Sequence, residues 1–565
     1  MRLMKLFLLS ACLLTFSSCS RKDNSMSINS SSEIPDQHEP DDGKTIVVSE
    51  LKHLDNGKTV VYVDDKPFKS IGIQIRTDAL MNCDHLGLQD LEVFFEKAGE
   101  LGVNTVEVPV QWKDIEIGDN VFDFTYMDTI LSYALKYNLK IELLWFGTNM
   151  CGDTHSYSVP EYILCDGKTY PKLDALRTGE FWAYYGIQWF MDFSNENLIK
   201  RESAAITRTM NHIYNYDKDH GSTHPVIAFQ VLNEADIFPR FRLATKQVVS
   251  PTTLEIMSEE EAWKKVLVAL DAYGKAVKES KYVVYTRTNL AASTGSGYGI
   301  SNDNSFSKES IKNPPEWAKK IFELEGIDAI GDDPYTKKVK EIKGISYMYG
   351  EKLPGNYPHI AENAGDYSNI PSLMLSALSL GAGYNMYDLA TPPFFIAHAS
   401  SSTVDQGICT YKNGQLTNRA HFDATKKVIE GINKCGDLLV TFNKGDMLGL
   451  NINTSSPLIS TTQHLQTSQV EVEFSTNDGA YGFAVSDNDH MDIYCVGNAN
   501  INISNVTVKA VKTGYYTADN EFVGDSVPTS SSLTLESEKL YRIEFDHVVP
   551  ELDSNYWENI GGNEG

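Results

Sequence analysis

The sequence has few of the features that indicate a metal, a hydrolytic triad or a bound nucleotide. Its eight cysteines form no C-x-x-C pair, and its histidines lack zinc-ligand spacing, so no metal site is predicted. G-x-S-x-G is absent, and the glycine-rich run TGSGYG (294–299) lacks the strand-to-helix setting of a dinucleotide loop. We therefore expect chemistry that uses side chains alone, without a cofactor.

Basic residues are also scarce. Lys and Arg total 49 against 76 Asp and Glu, which gives a formal net charge of −27. A surface of this charge repels a phosphate backbone, so no nucleic-acid partner is expected. By contrast, 42% of the 565 residues are hydrophobic and 11% are aromatic, which is enough for a large core and a second, smaller one.

The first 19 residues have the pattern of an export signal. Two basic residues precede an apolar run at 6–16, which is too short to cross a bilayer. Small residues before Cys19 resemble a bacterial lipoprotein signal, in which this cysteine is lipidated, and residues 20–43 have the polar composition of a disordered tether. We expect export and a lipid anchor in the outer membrane, facing periplasm or cell surface. The alternative is a secretory signal with an incidental cysteine.

Short apolar runs alternate with helical patterns over most of the chain. Helical spacing of apolar residues occurs at 91–101, 127–135, 260–280, 315–324, 371–380 and 424–439. Eight runs are typical of buried strands: SIGIQIR, NTVEVPVQW, KIELLWFGTN, VIAFQVLNEAD, YVVYTRTN, IDAIGDDPY, PHIAENAG and GAGYNMYDL. Eight strand–helix units predict an α/β fold, a (β/α)8 TIM barrel, over residues 44–442 with a hairpin at its entry.

The pattern changes in the last part of the chain. In QVEVEFST, Val470, Val472 and Phe474 alternate with polar residues, and KLYRIEFD alternates similarly. This period of two predicts a smaller antiparallel β-sandwich over residues 443–565. We expect it to support the barrel, because no exposed row of aromatic residues is visible. Sugar binding is the alternative role.

Two glutamates end predicted strands where a barrel carries its chemistry. Glu234 ends the fourth strand pattern (QVLNE) and Glu362 ends the seventh (PHIAE). Catalytic groups of barrel enzymes lie at the C-terminal ends of strands. Cleavage of a glycosidic bond with retention needs a carboxylic acid and a carboxylate about 5–5.5 Å apart, which strands four and seven can supply across the barrel mouth. One such glutamate would be more typical of an ion pair, but two favour a catalytic pair.

The segment VIAFQVLNEAD resembles the strand-four Asn-Glu motif of the large clan of retaining barrel glycoside hydrolases, clan A. Its beta-galactosidase-like families 35 and 42 have segments similar to VYVDDKPFKSIGIQIR, NTVEVPVQWKDIEIGDNVFDF and KIELLWFGTNMCGDTHSYSVPEYI, so the resemblance spans about residues 58–390. The resemblance implies that Glu234 is the acid/base, that Asn233 binds the sugar 2-hydroxyl and that Glu362 is the nucleophile. It also implies an oligosaccharide or polysaccharide substrate.

Further strand-end residues are candidates for substrate contacts. Tyr335, in GDDPY, is expected to hold the nucleophile ionised through a hydrogen bond. Two tryptophans are expected either to form an apolar floor under a sugar or to pack in the core. Glu107 stands where some members of the clan carry Arg, which bears on how the terminal sugar is held. The candidates are Arg76, Glu107, Trp112, Trp145, Asn149, Tyr335, Tyr387 and Asp388.

These observations predict an exo-acting, beta-galactosidase-like retaining hydrolase of oligosaccharides that meets the membrane only through its lipid anchor. No residue can be assigned to galactose, so beta-mannosidase, beta-glucosidase and beta-glucuronidase activities are the nearest alternatives. A non-catalytic glycan-binding lipoprotein is an alternative of another class. Such a protein is expected to have lost one carboxylate, whereas this sequence carries both.

Overall fold

Eight parallel strands close into a barrel in the computed structural model of the chain, and their order around the barrel is their order in the sequence. The structure describes residues 43–148, 158–175, 189–239, 248–249, 257–291, 311, 313–398, 405–452, 462–477 and 479–547. The barrel strands are β1 (Ile71–Gln74), β2 (Thr105–Gln111), β3 (Lys140–Phe146), β4 (Val226–Val231), β5 (Tyr285–Ala291), β6 (Ala329–Asp333), β7 (His359–Ala364) and β8 (Gly383–Tyr387). All eight coincide with the apolar runs of the sequence.

A helix follows every barrel strand, which confirms the predicted (β/α)8 fold. The helices are α1 (Glu92–Leu101), α2 (Thr125–Lys136), α3 (Glu196–Asp219), α4 (Glu259–Lys278), α5 (Glu316–Phe322), α6 (Val339–Gly350), α7 (Ile370–Leu378) and α8 (Phe422–Lys434). Six of them match the helical patterns of the sequence; α3 and α6 are additional. Shorter helical segments are Thr77–Asn82, Leu88–Leu91, Trp112–Ile115, Glu161–Cys165, Pro393–His398 and Leu438–Thr441.

An antiparallel hairpin precedes the barrel. Its strands Ser49–His53 and Thr59–Val63 are extended by the short strand Lys66–Pro67. Ser49 fastens the hairpin to the barrel, because its hydroxyl donates to the carbonyl of Ile227 at 2.5 Å and accepts from the amide of Tyr285 at 3.1 Å. Other short pairings join Ile46–Val47 to Tyr282–Val283, Glu116–Gly118 to Val121–Phe122, Lys172–Ala175 to Trp189–Met191 and Val248–Val249, and Cys409–Lys412 to Gln415–Asn418.

Two antiparallel sheets follow α8. Their strands are β9 (Met447–Ile452), β10 (Thr462–Gln466), β11 (Glu471–Ser475), β12 (Ala480–Ser486), β13 (His490–Val496), β14 (Ala499–Ser504), β15 (Val506–Tyr516), β16 (Phe522–Val527), β17 (Ser532–Leu535) and β18 (Leu540–His547). One sheet has six strands in the order β9-β12-β13-β18-β15-β16, and the other has four in the order β10-β11-β14-β17. A separate hydrophobic cluster lies between the two sheets, so they pack as a sandwich.

The described residues from Thr45 onward cluster into one unit. The change from parallel to antiparallel strands falls between α8 and β9, close to the predicted boundary at 442, and that boundary itself stays a prediction. The predicted signal (1–19) and nearly all of the tether (20–43) lie outside the described residues. Among the helices that the structure describes, none is both long and apolar enough to cross a membrane.

Candidate active site

Glu362 lies at the mouth of the barrel with both carboxylate oxygens engaged. The amide of Gln74, at the end of β1, donates to Oε1 at 3.1 Å, and the hydroxyl of Tyr335, just after β6, donates to Oε2. The residue is only 6% exposed. Two donors, one for each oxygen, fix the orientation of the carboxylate. The structure thus places Tyr335 against the predicted nucleophile.

A cation and two aromatic rings lie beside Glu362. Arg76 forms two hydrogen bonds to Asp78, at 2.9 and 2.8 Å, and a third to the hydroxyl of Tyr387 at 2.8 Å. The rings of Tyr387 and Tyr335 meet edge to face, with their centroids 5.7 Å apart. Burial opposes the charge on Arg76, but Asp78 and Tyr387 outweigh it and raise its pKa. Arg76, Tyr335 and Tyr387 are therefore brought together with Glu362 on one side of the mouth.

Glu234 follows β4 and is half-buried. Its backbone has the left-handed φ of +50°, and Leu232 two residues earlier has φ +53°. Such conformations cost about 1–3 kcal/mol in a residue other than glycine and persist only where the surroundings hold them. The backbone N–H of Glu234 donates to the side-chain oxygen of Asn289 at 2.8 Å. A side chain on β5 thus fixes the turn that presents the predicted acid/base.

The side chain of Asn233 is oriented by two donors. Its oxygen accepts hydrogen bonds from the amides of Gln230 at 2.7 Å and Asn289 at 3.3 Å. These two hydrogen bonds fix the orientation of the Asn233 amide group. Asn233 is 6% exposed, next to Glu234. Its place beside the predicted acid/base agrees with the sugar contact that the sequence resemblance implies.

A third carboxyl group lies between the two glutamates. Asp333, at the end of β6, is fully buried and accepts a hydrogen bond from Asn289 at 2.7 Å. Burial raises its pKa well above the ordinary value, and the charges of Glu362 and Glu234 raise it further. Gln74, Asn289 and Asp333 were not predicted from the sequence, although Gln74 and Asp333 end β1 and β6 and Asn289 ends the run YVVYTRTN. The rule that found the glutamates could have found them.

Glu107 lies in the barrel interior and is 1% exposed. Its carboxylate contacts the guanidinium of Arg287, which also binds Glu142 at 2.8 Å, and it accepts from the amide of Asn385 at 2.6 Å. Burial, followed by the charges of Glu142 and Glu362, raises the pKa of Glu107 to about 8 against the attraction of Arg287. The structure therefore gives Glu107 protein partners inside the barrel, close enough to Glu362 for its charge to act on Glu107.

One group of side chains has the geometry to hold a cation. Ligand atoms of Glu107, Glu142 and His359 lie within 4.8 Å of one another. Arg287 already supplies positive charge to both carboxylates, and burial with Arg287 lowers the pKa of His359 to about 4. The guanidinium would repel a metal ion at this place. The cluster is better described as a buried ion pair than as a metal centre.

Both candidate tryptophans are fully buried. The indole N–H of Trp112 donates to Glu116 at 2.8 Å, and that of Trp145 donates to Glu202 at 2.9 Å. The Trp145 ring also stacks on Phe229 with centroids 6.0 Å apart. These contacts favour the packing alternative over a sugar floor for both rings. The candidate Asn149 lies outside the described residues, as does Cys19.

Comparison with known proteins gives one partial family match. A model described as a domain of unknown function, DUF4978, matches residues 265–457. This segment runs from α4 to just beyond β9 and includes Glu362 but not Glu234. No curated protein matches the chain.

Several solved structures of glycosidases are similar to the chain. A family 1 β-glucosidase from Thermotoga maritima is 13% identical, with 62% of this chain and 87% of that one covered and a TM-score of 0.39. The β-galactosidase from Marinomonas ef1 is 12% identical over 64% and 59%, with a TM-score of 0.41. The β-galactosidase from Halorubrum lacusprofundi is 10% identical over 65% and 58%, with a TM-score of 0.40.

Proposed function

We propose that the chain is a retaining glycoside hydrolase in which Glu362 is the nucleophile and Glu234 the acid/base. One observation carries the proposal: at the mouth of a closed eight-stranded barrel, Glu362 is held by Gln74 and Tyr335, while Glu234 is presented by a turn that Asn289 fixes. The charges of both glutamates act on the same buried groups, Asp333 and Tyr335. Double displacement requires two carboxyl groups near one glycosidic bond, and this shared influence supports such a pair.

The proposed reaction has two steps. Glu362 attacks the anomeric carbon while Glu234 gives its proton to the leaving oxygen, so that a glycosyl ester forms at Glu362 and the aglycone departs as an alcohol. Glu234, now ionised, takes a proton from water, which attacks the same carbon and releases Glu362. Gln74 and Tyr335 keep the Glu362 carboxylate aligned for attack, and the Asn233 N–H donates to a hydroxyl of the bound sugar.

We further propose beta-galactosidase-like, exo-acting hydrolysis, with other β-glycosides as alternatives. The sequence resemblance motivates the choice of sugar. Arg76 and Tyr387 are the residues that we expect to bind its hydroxyl groups. A panel of aryl β-galactoside, β-glucoside, β-mannoside and β-glucuronide substrates tests it. Turnover of galactoside fastest is the expected result. Turnover of another sugar with none of galactoside would contradict the substrate but keep the reaction class.

The roles of the two glutamates are tested by matched variants. We expect E362A and E234A each to lose at least about 10⁴-fold in kcat on a poor leaving group, because each removes a group that acts in the transition state. With added azide, E362A should give the α-glycosyl azide and E234A the β-glycosyl azide, since azide replaces the nucleophile in one and the attacking water in the other. The control E260A changes a surface glutamate that pairs with Lys264.

A covalent trap checks the nucleophile directly. An activated 2-deoxy-2-fluoro glycoside should transfer its sugar to Glu362 and release its leaving group, and mass spectrometry of the digest should find the added mass on the peptide that contains this residue. Labelling of another residue would make the assignment wrong. A wild-type chain that binds sugars but turns over none of the substrates would favour the glycan-binding alternative.

Export with lipid attached to Cys19 is a separate proposal, supported by the signal pattern of residues 1–19. Growth with a labelled fatty acid should label the wild-type chain in the membrane fraction. The variant C19A should lose the label and leave that fraction. Membrane association of C19A equal to wild type would contradict the anchor.

A further inference from the structure

The side chain of Asn289 is fully engaged at the centre of the site. Its oxygen accepts from the backbone N–H of Glu234, and its nitrogen lies 2.7 Å from Asp333 Oδ2 and 3.3 Å from Asn233 Oδ1. We propose that Asn289 and Asp333 are a positioning pair that fixes the acid/base Glu234 and the sugar-binding Asn233. This inference rests on the proposed function of the site.

The pair joins three neighbouring strands. Asn289 lies on β5, Asp333 ends β6, and Glu234 follows β4. Both members of the pair are fully buried, so neither can contact substrate. Their effect is instead transmitted through the left-handed backbone of Glu234, which needs a fixed partner to persist. Asp333 orients the Asn289 amide so that its oxygen points to Glu234 and its second N–H to Asn233.

The surroundings of Asp333 favour a neutral carboxyl group. The titratable groups that act on it are Glu362 from β7, Glu234 from the turn after β4, Glu107 from β2, Tyr335 after β6 and its neighbour Asp332. Every one of them is acidic, and no ion pair joins Asp333 to a cation in the described part of the chain. Burial raises the pKa of Asp333 well above its ordinary value.

One oxygen of Asp333 also favours the neutral carboxyl group. Asp333 Oδ1 is buried and has no hydrogen-bond partner among the described residues. A buried anionic oxygen without a donor is far more costly than a buried hydroxyl without an acceptor. A protonated Asp333 therefore accepts the Asn289 hydrogen bond without adding a third negative charge between the two glutamates. Glu234 would then lose and regain a proton during turnover, while Asp333 stays protonated throughout.

Kinetics of four variants test the positioning role. We expect D333A and N289A to lower kcat about 100-fold, because a small misplacement of a catalytic group has an effect of this size, while KM changes less than about threefold. D333N should restore most of the kcat lost in D333A, since its neutral amide still offers Asn289 an oxygen. The control is E325Q, which changes an exposed carboxylate that pairs with Lys275 at 2.8 Å. It should behave as wild type.

An infrared measurement tests the proton without any turnover. At pH 7 the wild-type spectrum should contain the C=O stretch of a protonated carboxyl group that D333N lacks and that E234Q retains. The affinity for an iminosugar that resembles the charged transition state, measured by calorimetry, should fall in D333A together with kcat and recover in D333N. Absence of the band, full activity or affinity in D333A, or a D333N variant as impaired as D333A would each overturn the inference.

The two proposals fail in distinguishable ways. If wild type hydrolyses no glycoside, the proposed function is wrong, and the infrared band and the iminosugar affinities still decide whether Asp333 is neutral and positions the site. If wild type is active and loses activity in E362A and E234A, but the band is absent, the function stands and the pair is wrong.

Discussion

At the scale of single residues, the barrel interior holds an unbalanced charge cluster. One guanidinium, that of Arg287, faces two buried carboxylates, Glu107 and Glu142. Burial opposes ionisation of Glu142, but Arg287 outweighs it and the pKa of Glu142 is lowered. The pKa of Glu107 is raised to about 8. At neutral pH we therefore assign the negative charge to Glu142 and a proton to Glu107.

This assignment predicts different effects of two similar substitutions. E142Q should lower the free energy of unfolding by about 3–5 kcal/mol, because it leaves the buried charge of Arg287 without an ionised partner. E107Q should change it by less than about 1 kcal/mol near pH 4.5 and should not lower it at pH 7, because Gln resembles the protonated acid it replaces and takes up no proton on folding. Urea unfolding of both variants checks the prediction. Equal destabilisation would contradict it.

The same assignment predicts a pH dependence. A proton held in the folded state from the ordinary pKa of 4.5 up to about 8 means that wild type loses stability as pH rises through this range. The loss of stability should be smaller in E107Q, which has no proton to release at this position. Thermal melts of the two proteins at several pH values between 5 and 8.5 measure the difference. Parallel curves would show that Glu107 is ionised in the folded chain.

The positions of the candidate residues could be predicted from the sequence where they depend on one strand alone. Glu234, Glu362 and Tyr335 each follow an apolar run, and the barrel rule places such residues at the mouth. The pairing of Arg287 with Glu107 could not be predicted, because it depends on side chains from strands far apart in the sequence reaching the same height inside the barrel. The same reason hides the hydrogen bonds that Asn289 makes to its neighbours.

At the scale of elements, the pattern of buried residues decides which strands and helices could be predicted from the sequence. The eight barrel strands are buried on both faces, so they appear as continuous apolar runs. The inward face of α3 includes the buried polar residues Glu202, Thr209 and Asp217, and that of α6 includes Gly344 and Ser346. These residues interrupt the apolar stripe from which helices are predicted. The two helices could therefore not be found by hydrophobic spacing.

The contact between α8 and the six-stranded sheet depends on a glycine. A Cβ added at Gly431 would lie 2.3 Å from the ring of Tyr494, which is fully buried and donates its hydroxyl proton to the carbonyl of Lys427 at 2.7 Å. G431A should therefore lower the free energy of unfolding by about 2 kcal/mol, although alanine favours helices. Thermal unfolding measures it. The control is G449A, where an added Cβ meets nothing within 4 Å; a similar loss there would contradict the steric explanation.

At the scale of the whole molecule, the six-stranded sheet belongs to two cores at once. Side chains alternate along its strands, so Phe483 and Tyr494 join the core that includes the barrel, while Ala484 and Ile493 join the core of the sandwich. A strand cannot leave one core without exposing its face in the other. The barrel and the sandwich are therefore expected to depend on each other for stability.

This shared sheet predicts that residues 45–547 unfold as one unit. Calorimetry should give a single transition, because separating the sandwich would expose the buried face of β12 and β13 and uncover α8. Hydrogen exchange monitored by mass spectrometry should then find similar opening free energies for peptides from β13 and from the barrel strands. Two transitions, with earlier exchange in β12 and β13 than in α8, would mean that the sandwich unfolds alone and only rests on the barrel. G431A provides the sensitive case, since weakening this one contact should lower the single transition temperature and leave the transition undivided.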